Sequence, residues 1–482
     1  MSRPVLDEQV IPPAPGATRT LPGWLKVIFW SLGAAVLAGV LVEVLSGVHS
    51  DFLLHYTFGK RFLDRTFIYA ESLHVPYPPF WALFWAPWTV FSLEAARVVA
   101  FLVLALGSLT SLSLVLVRLG HRIIPARDDR VTIALIVALV LAARFILRDL
   151  TESGPNLLLW SLVWMGLLQY LGGRRVSGGL LIGVPIALKM TPAIFIPYFL
   201  LKREWKTATA ALATAVVLSV SPGLFRPSPL FLLEMRTWTG NAWHEVTAMD
   251  ASQTILGQPE IRNLSLRQAL ARLLRHYPPG HRLVVEHPLF IQFLSLPPRG
   301  AAWLVRCLML AFIGLVAWRF RRRASEAGHP MVLPLELATV SALALLYSPI
   351  TWKQHCVSLL PALFLLALCS LQWNRVSRWM WCALLYYVVF ALVLTRDAVG
   401  RPFSILLESY HVVTWAILLL VIALLAWHRR VLSPHGPGAG GGAWRLGGRA
   451  ASQSGRRLCQ LSLADDAVGR RRSARSEARG DS

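Results

Sequence analysis

The sequence predicts an all-α protein that crosses a membrane many times. Of its 482 residues, 55% are hydrophobic and only 15% are charged, and the mean hydropathy is +0.54. A soluble domain needs more charge than this to cover its surface. Apolar runs of about 17–25 residues, long enough to cross the hydrocarbon core as a helix, recur along most of the chain. No segment is left over for a separate soluble domain.

The basic residues indicate how the chain is oriented. A net charge of +23 could suggest a nucleic-acid partner. Here, however, Lys and Arg lie in short loops between apolar runs, which is the positive-inside pattern of cytoplasmic loops. We therefore expect a lipid bilayer as partner and no nucleic acid. The five Cys form no CxxC pair, and no acidic cluster suits a nucleotide-bound metal, so we predict neither a metal site nor a cofactor.

The first outer segment follows the first span. Residues 1–22 are polar and Pro-rich and lead into the apolar run 24–48 without a small-residue cleavage site, which predicts a cytoplasmic segment and a retained span. The amphipathic stretch 51–76 suits the headgroup region. The aromatic stretch 77–93 must not cross if the basic residues 118–130 are cytoplasmic. We therefore predict outer interfacial helices in this first loop, with the 77–93 helix either lying at the outer interface or dipping into the membrane and returning.

The remaining spans follow from the same alternation of charge. Residues 177–201 must enter and return on one side, because basic clusters flank both ends, and the break is predicted at Thr191–Pro192. Counting this hairpin as two, we predict about twelve crossings in a membrane domain of residues 23–430. Residues 431–482 are rich in Gly, Ser and Arg and are predicted to form a disordered, basic cytoplasmic tail.

On this topology the ionisable residues near membrane depth collect on the outer side, where they are costly unless they have a function. Asp51 ends the first span and has two interpretations. A carboxylate at the mouth of an outer cavity can act as a general base if it lies within roughly 3 Å of a hydroxyl. Alternatively, Asp51 caps the next short helix.

Several cations are candidates for binding a phosphate. Lys189 lies among apolar neighbours in the middle of its segment, so it either binds a lipid phosphate or snorkels to the interface. Lys353 and His355 follow Ser-Pro-Ile-Thr-Trp and either bind phosphate or belong to an ordinary wet loop. Arg148 has Asp149, Glu152 or a ligand as possible partners.

Ordered sequence blocks extend over about residues 45–370. They are Asp51-Phe-x-x-His-Tyr56-x-x-Gly, Tyr77-Pro-Pro-Phe, Ala86-Pro, Asn156-Leu-Leu-Leu, Gly178-Gly through Lys189-Met-Thr-Pro, Asn263-Leu-Ser-Leu and Ser348-Pro-Ile-Thr-Trp-Lys-Gln-His355. Taken together and in this order, the blocks resemble glycosyltransferase family 87. The chain departs from the family pattern in two places. His55 stands where an aliphatic residue is more usual, and Gly154-Pro-Asn replaces Gly-Gln-Asn.

The resemblance implies a C-type glycosyltransferase architecture in a bacterial plasma membrane, with an extracytoplasmic active site. It implies an inverting transfer of a hexosyl group, mannosyl in many family members, from a polyprenyl-phosphate sugar to a glycolipid or glycan acceptor. Asp51 would be the general base, and His355 would lie near the donor phosphate. The substrate-binding candidates are Lys189, His355, Lys353, Tyr56, Arg61, Asn156 and Arg148.

Two other classes of protein fit the same composition. A transporter or lipid flippase also has many spans, but it is expected to show internal repeats or paired broken helices, and the sequence has one such break. A ligase that transfers polysaccharide to lipid is favoured by a long, Arg-rich outer loop, which residues 225–300 provide. The oligomeric state is left open.

Overall fold

The structure is a computed structural model, and it describes residues 22–46, 51–69, 77–124, 129–247, 250, 252, 261–287, 289–372 and 376–432. The predicted N-terminal segment and the basic tail lie, except for residue 22 and residues 431–432, outside the described residues. The described residues fold largely into helices.

The first half of the chain supplies ten of these helices. They are α1 (Gly23–Ser46), α2 (Phe52–Leu63), α3 (Pro79–Trp85), α4 (Leu93–Ala100), α5 (Gly107–Ile123), α6 (Arg130–Thr151), α7 (Pro155–Leu171), α8 (Arg175–Leu188), α9 (Phe195–Leu201) and α10 (Trp205–Val220). A π-helical segment joins α4 and α5 into one helix over Leu93–Ile123. The short helices α2 and α3 follow the first span, where the sequence predicts interfacial helices.

The second half of the chain supplies nine more. They are α11 (Ser228–Thr247), α12 (Leu266–Leu274), α13 (Arg282–Glu286), α14 (Pro298–Arg319), α15 (Val332–Tyr347), α16 (Leu360–Gln372), α17 (Arg378–Tyr387), α18 (Arg396–Ser409) and α19 (Val412–Val431). Helix α17 continues as a π-helix to Val393, and α18 then turns by 105°.

The helices have the lengths that a polytopic membrane protein requires. Seven of the described helices are long and apolar enough to cross a bilayer, or eight if the bent pair of α17 and α18 is one span. Three shorter apolar helices lie among them: Arg175–Leu188, Thr191–Leu201 and Val332–Tyr347. The predicted fold class, all-α and polytopic, is confirmed. The count of about twelve crossings remains a prediction.

The break predicted at Thr191–Pro192 is confirmed. Helix α8 ends at Leu188, Lys189 takes an extended backbone conformation, and a 3₁₀ turn begins at Thr191. Arg175, at the start of α8, forms a 3.0 Å ion pair with Glu204, which follows α9. The start of α8 and the end of α9 therefore lie close together. The chain therefore enters and returns at the same end, and Lys189 lies at the tip of the hairpin.

A rigid corner joins α6 to α7. Gly154 has φ = +69°, a left-handed conformation that glycine adopts without the Cβ strain of other residues. A Cβ at this position would also collide with Ala105. Beyond the corner, the Asp149 carboxylate accepts hydrogen bonds from the backbone N–H groups of Asn156 and Leu157, so it caps the N-terminus of α7.

Candidate functional site

A cavity of 1380 Å³ lies where α2, the α6–α7 corner, the tip of the α8–α9 hairpin and α18 meet the loop before α16. Six of the eight residues predicted for the site line it: Asp51, Arg148, Asn156, Lys189, Lys353 and His355. These residues are up to 304 positions apart in the chain, so only the tertiary fold brings them together. The cavity defines the candidate active site.

Asp51 lies at the mouth of this cavity with its carboxylate available. It occupies the N-cap position of α2, yet its side chain makes no capping hydrogen bond to that helix. Its backbone N–H is held by the Glu152 carboxylate, and Gln354 donates a long 3.4 Å hydrogen bond to Oδ2. The geometry thus disfavours capping, the alternative that the sequence left open.

Glu152 connects Asp51 to Arg148. Its carboxylate is 1% exposed, forms a 2.7 Å ion pair with Arg148 and accepts the N–H of Asp51. Burial, and then the nearby negative charge of Asp51, raise the pKa of Glu152 to about 7. Arg148 is therefore paired with Glu152, one of the partners suggested by the sequence.

A chain of hydrogen bonds holds Lys189 in the deep part of the cavity. The buried Asp149 accepts from the Asn156 side-chain amide at 2.7 Å, which leaves Asn156 Oδ1 facing Lys189 Nζ at 3.2 Å. Lys189 Nζ also lies 2.9 Å from His355 Nε2 and 5.6 Å from the ring centre of Tyr77. Only 8% of Lys189 is exposed, so its ammonium is fixed inside the cavity and does not snorkel.

The orientation of His355 is set by its own loop. The backbone N–H of Trp352 donates to His355 Nδ1 at 3.1 Å. Lys189 Nζ lies at hydrogen-bond distance from Nε2, and which of the two nitrogens donates depends on the tautomer of the ring. The Lys189 ammonium carries three N–H donors, so it has one to offer an oxyanion in the cavity beyond those facing Asn156 and His355.

Lys353 lines the cavity but is already neutralised. Its ammonium forms a 2.8 Å ion pair with Glu408 of α18. Arg262 approaches the other oxygen of the same carboxylate at 4.0 Å. The charge of Lys353 is therefore less available to a ligand than the charge of Lys189.

The remaining two predicted residues do not line the cavity. The Tyr56 hydroxyl donates to the backbone oxygen of Phe91 at 2.9 Å, outside the cavity wall. Arg61 lies on α2 near the buried Arg226–Glu234 pair, and its backbone oxygen accepts from Arg226 at 3.4 Å. The 3.6-residue period explains the difference, since Asp51 and His55 share one face of α2 while Tyr56 points away from it.

The sequence assigned no site role to several residues that the fold places in the cavity. Glu408, Gln354, Tyr77 and His55 all line it. Glu408 and Gln354 carry no distinctive spacing, whereas the i, i+4 relation of Asp51 and His55 was a usable signal. Within the described ranges, no group of three or more His, Cys, Asp or Glu side chains is placed to hold a metal ion.

A multi-span helical protein with a polar cavity that holds a carboxylate opposite a buried lysine suits a membrane-embedded transferase. The chain belongs to glycosyltransferase family 87, whose model matches residues 75–349, more than half of its length. It is therefore a multi-pass membrane glycosyltransferase of the hexosyltransferase type.

Two curated relatives carry the same name, polyprenol-phosphate-mannose-dependent alpha-(1-2)-phosphatidylinositol mannoside mannosyltransferase. The protein from Mycolicibacterium smegmatis is 29% identical over 344 residues, which are 67% of this chain and 70% of the relative. The protein from Mycobacterium tuberculosis is 27% identical over 383 residues, 73% of this chain and 78% of the relative. A solved structure, ArnT from Cupriavidus metallidurans in the apo state, covers 84% of this chain and matches 77% of that chain at 18% identity, with a TM-score of 0.38.

Proposed function

We propose that this protein transfers a mannosyl group from a polyprenyl-phosphate sugar to an extracytoplasmic glycolipid or glycan, with inversion and with Asp51 as the general base. The observation that carries the proposal is that one cavity holds both an available carboxylate, Asp51, and a buried lysine in contact with a histidine, Lys189 and His355. The names of the two relatives support the donor and the class of acceptor, because those proteins use polyprenol-phosphate-mannose and act on a phosphatidylinositol mannoside.

The donor phosphate would bind between Lys189 and His355. The Lys189 ammonium has three N–H donors, and the one that faces neither Asn156 nor His355 binds a phosphate oxygen. Asn156, fixed by Asp149, keeps the ammonium in place. Because the site is largely buried, its cation interacts more strongly with a phosphate than it would in water.

An isoprenoid tail needs an apolar route out of such a cavity. Met190, Ile194, Leu310 and Ile313 line it together with the polar groups. Leu310 is 69% exposed on the apolar helix α14, so the cavity wall is continuous with a surface suited to lipid. This continuity supports a donor whose phosphate lies in the cavity while its tail remains in the bilayer.

The reaction then follows from the positions of the two ends. Asp51 accepts the proton of an acceptor hydroxyl as that oxygen bonds to C1 of the sugar. The bond between C1 and the phosphate oxygen breaks on the opposite face, and its electron pair leaves with the phosphate, so the anomeric configuration inverts. The Lys189 ammonium, held beside His355, stabilises the charge that develops on the leaving group.

The placement of basic residues supports an extracytoplasmic site in a bacterial plasma membrane. Lys202 donates to the backbone oxygens of Phe320 and Arg322 and forms a buried 2.6 Å ion pair with Glu336. Glu336 in turn lies 3.0 Å from His428, so three basic segments meet at one end of the bundle. Glu336 lies in the second turn of α15, and this helix reaches the cavity roughly 16 Å further along its axis, at Tyr347. If this basic end is cytoplasmic, as the positive-inside pattern indicates, the position of the cavity supports an extracytoplasmic site.

The proposal is tested by incubating the purified protein with a panel of polyprenyl-phosphate sugars and a phosphatidylinositol mannoside acceptor. We expect transfer from polyprenyl-phosphate mannose, with a product of inverted anomeric configuration by NMR. Absence of transfer from every polyprenyl-phosphate donor, or retention of configuration, would contradict it. Cysteine labelling at position 51 in intact cells checks the side of the membrane, since labelling only from the cytoplasm would exclude an extracytoplasmic Asp51.

A further inference from the structure

One cavity residue, His55, has no partner in the reaction described above. It lies one helical turn beyond Asp51 on α2, and its backbone N–H donates to the Asp51 carbonyl at 3.3 Å. The imidazole lines the cavity, although only 2% of the residue is exposed. It makes no hydrogen bond to any residue in the part of the chain that the structure describes.

The His55 ring is held rigidly by aromatic neighbours. It stacks on Trp85 with a centroid distance of 5.1 Å and an angle of 16°, and it meets the edge of Trp81 at 5.0 Å. Tyr77, itself stacked on Trp81 at 4.2 Å, closes a third side at 5.9 Å. Such a box fixes the imidazole plane before a substrate arrives.

The polarity of His55 is unexplained by packing alone. Its Nδ1 is sealed from solvent without a partner, and a buried polar atom in that condition destabilises the folded protein. A phenylalanine would stack in the same box without this cost. Nε2 also lacks a partner, but unlike Nδ1 it is not sealed from solvent. This leaves a hydrogen-bonding nitrogen open to the cavity.

The position of His55 indicates which part of the substrate reaches its Nε2 atom. Tyr77 touches both His55, at 5.9 Å between ring centres, and Lys189, whose ammonium lies 5.6 Å from the Tyr77 ring. The wall therefore runs from Lys189 through Tyr77 and His55 to Asp51. If phosphate binds at Lys189 and the acceptor hydroxyl at Asp51, the group that spans this wall is the sugar ring that joins them.

We propose that His55 is a specificity-determining residue that hydrogen-bonds to one hydroxyl of the donor's sugar ring. The proposal rests on the proposed function and adds the residue that recognises the transferred sugar. The Tyr77 ring presents an aromatic face beside the same sugar. A neutral imidazole offers one donor and one acceptor, which suits a hydroxyl group.

The charge state of His55 fits this role. Burial, and then the positive charge of Lys189, lower the pKa of His55 to about 3. The acidic, basic and aromatic groups that face it are Asp51, Lys189, Tyr77, Trp81 and Trp85. The imidazole therefore stays neutral from pH 5 to 8, and the choice of sugar should not change over that range.

The test compares the protein with its His55→Phe variant on polyprenyl-phosphate mannose and on donors deoxygenated at C2, C3, C4 or C6. We expect the unaltered protein to use one of the four deoxy donors at least fivefold less well, in kcat/KM, than the full mannosyl donor. In His55→Phe that preference should fall below twofold, while the ratios for the other three analogues stay unchanged. The phenyl ring keeps the stacking and removes only the nitrogen atoms.

A Trp85→Phe variant serves as the matched control, because Trp85 packs on the same imidazole but does not line the cavity. It should lower the melting temperature and leave the four donor ratios unchanged. If His55→Phe leaves every ratio unchanged, or lowers activity on all five donors equally, the proposal is wrong. The unaltered protein provides a second check. If it uses all four deoxy donors as well as the full mannosyl donor, the proposal is also wrong. An unaltered protein that transfers from no polyprenyl-phosphate donor refutes the proposed function as well.

Discussion

Two lysines line the cavity, and replacing each with methionine should have very different consequences. Lys189 is buried and lies 2.9 Å from His355 Nε2, without a carboxylate in direct contact among the described residues. Lys353 is 29% exposed in its side chain and is neutralised by Glu408 at 2.8 Å. Methionine keeps most of the length and the apolar stem of lysine, so the substitution removes mainly the charge.

The expected magnitude follows from what each ammonium can contribute. A hydrogen bond to a charged group is worth about 1.5–3 kcal/mol, which corresponds to roughly 10- to 150-fold in rate. A preorganised donor facing a developing oxyanion is worth about 100- to 1000-fold. We therefore expect Lys189→Met to lower kcat/KM about 100-fold. A partly exposed ion pair is worth about 0–1 kcal/mol, so Lys353→Met should cost less than tenfold.

The assay is transfer from polyprenyl-phosphate mannose by the purified proteins, with binding of polyprenyl phosphate measured in parallel. Melting temperature is recorded for each variant, because loss of Lys189 also leaves Asn156 Oδ1 without its donor. The reasoning is refuted if Lys189→Met keeps more than a third of the activity, or if the two variants lose activity equally while both remain folded.

Three further predictions concern the residues around the cavity. Tyr56→Phe should change kcat/KM less than twofold, because the Tyr56 hydroxyl donates to the Phe91 backbone oxygen outside the cavity. A tenfold loss of kcat/KM would show that Tyr56 does contribute to the site. Asp149→Asn should lower the free energy of unfolding by about 3 kcal/mol, because an amide has one acceptor oxygen whereas both carboxylate oxygens of Asp149 accept hydrogen bonds. A melting temperature equal to that of the unaltered protein would contradict this prediction. The raised pKa of Glu152 predicts that its contribution to stability is present below its ordinary value of 4.5 and is lost as the pH rises through about 7. The melting temperature of the unaltered protein should therefore fall relative to Glu152→Gln between pH 5 and 8, by the equivalent of on the order of 3 kcal/mol, and parallel curves would contradict the shifted pKa.

The sequence was sufficient for the fold class and for the hairpin. Apolar run length predicts spans directly, because the bilayer imposes a length on each helix. The break at Thr191 followed from Pro192 and from the basic clusters on both sides, and the structure ends α8 at Leu188. The number of membrane spans was harder to predict from the sequence, because helices such as Val332–Tyr347 are shorter than the usual crossing length.

The candidate site was only partly predictable. Charged groups near membrane depth are costly, and this consideration together with the resemblance to family 87 indicated Asp51, Lys189 and His355, which the fold brings into one cavity. It could not show that Lys353 is paired with Glu408, because the two residues are 55 positions apart. It also could not separate His55 from Tyr56, since neighbouring residues on a helix differ only in the direction they face.

Asp51 is the residue on which the proposed mechanism depends most, and the Asp51→Asn variant tests its role most directly. Asparagine has nearly the same shape and can still accept the 3.4 Å hydrogen bond from Gln354, but it cannot take a proton from an acceptor hydroxyl. With polyprenyl phosphate binding and melting temperature unchanged, we predict that sugar transfer falls at least 100-fold. Transfer at the full rate by a folded Asp51→Asn protein would contradict the assignment of Asp51 as the general base.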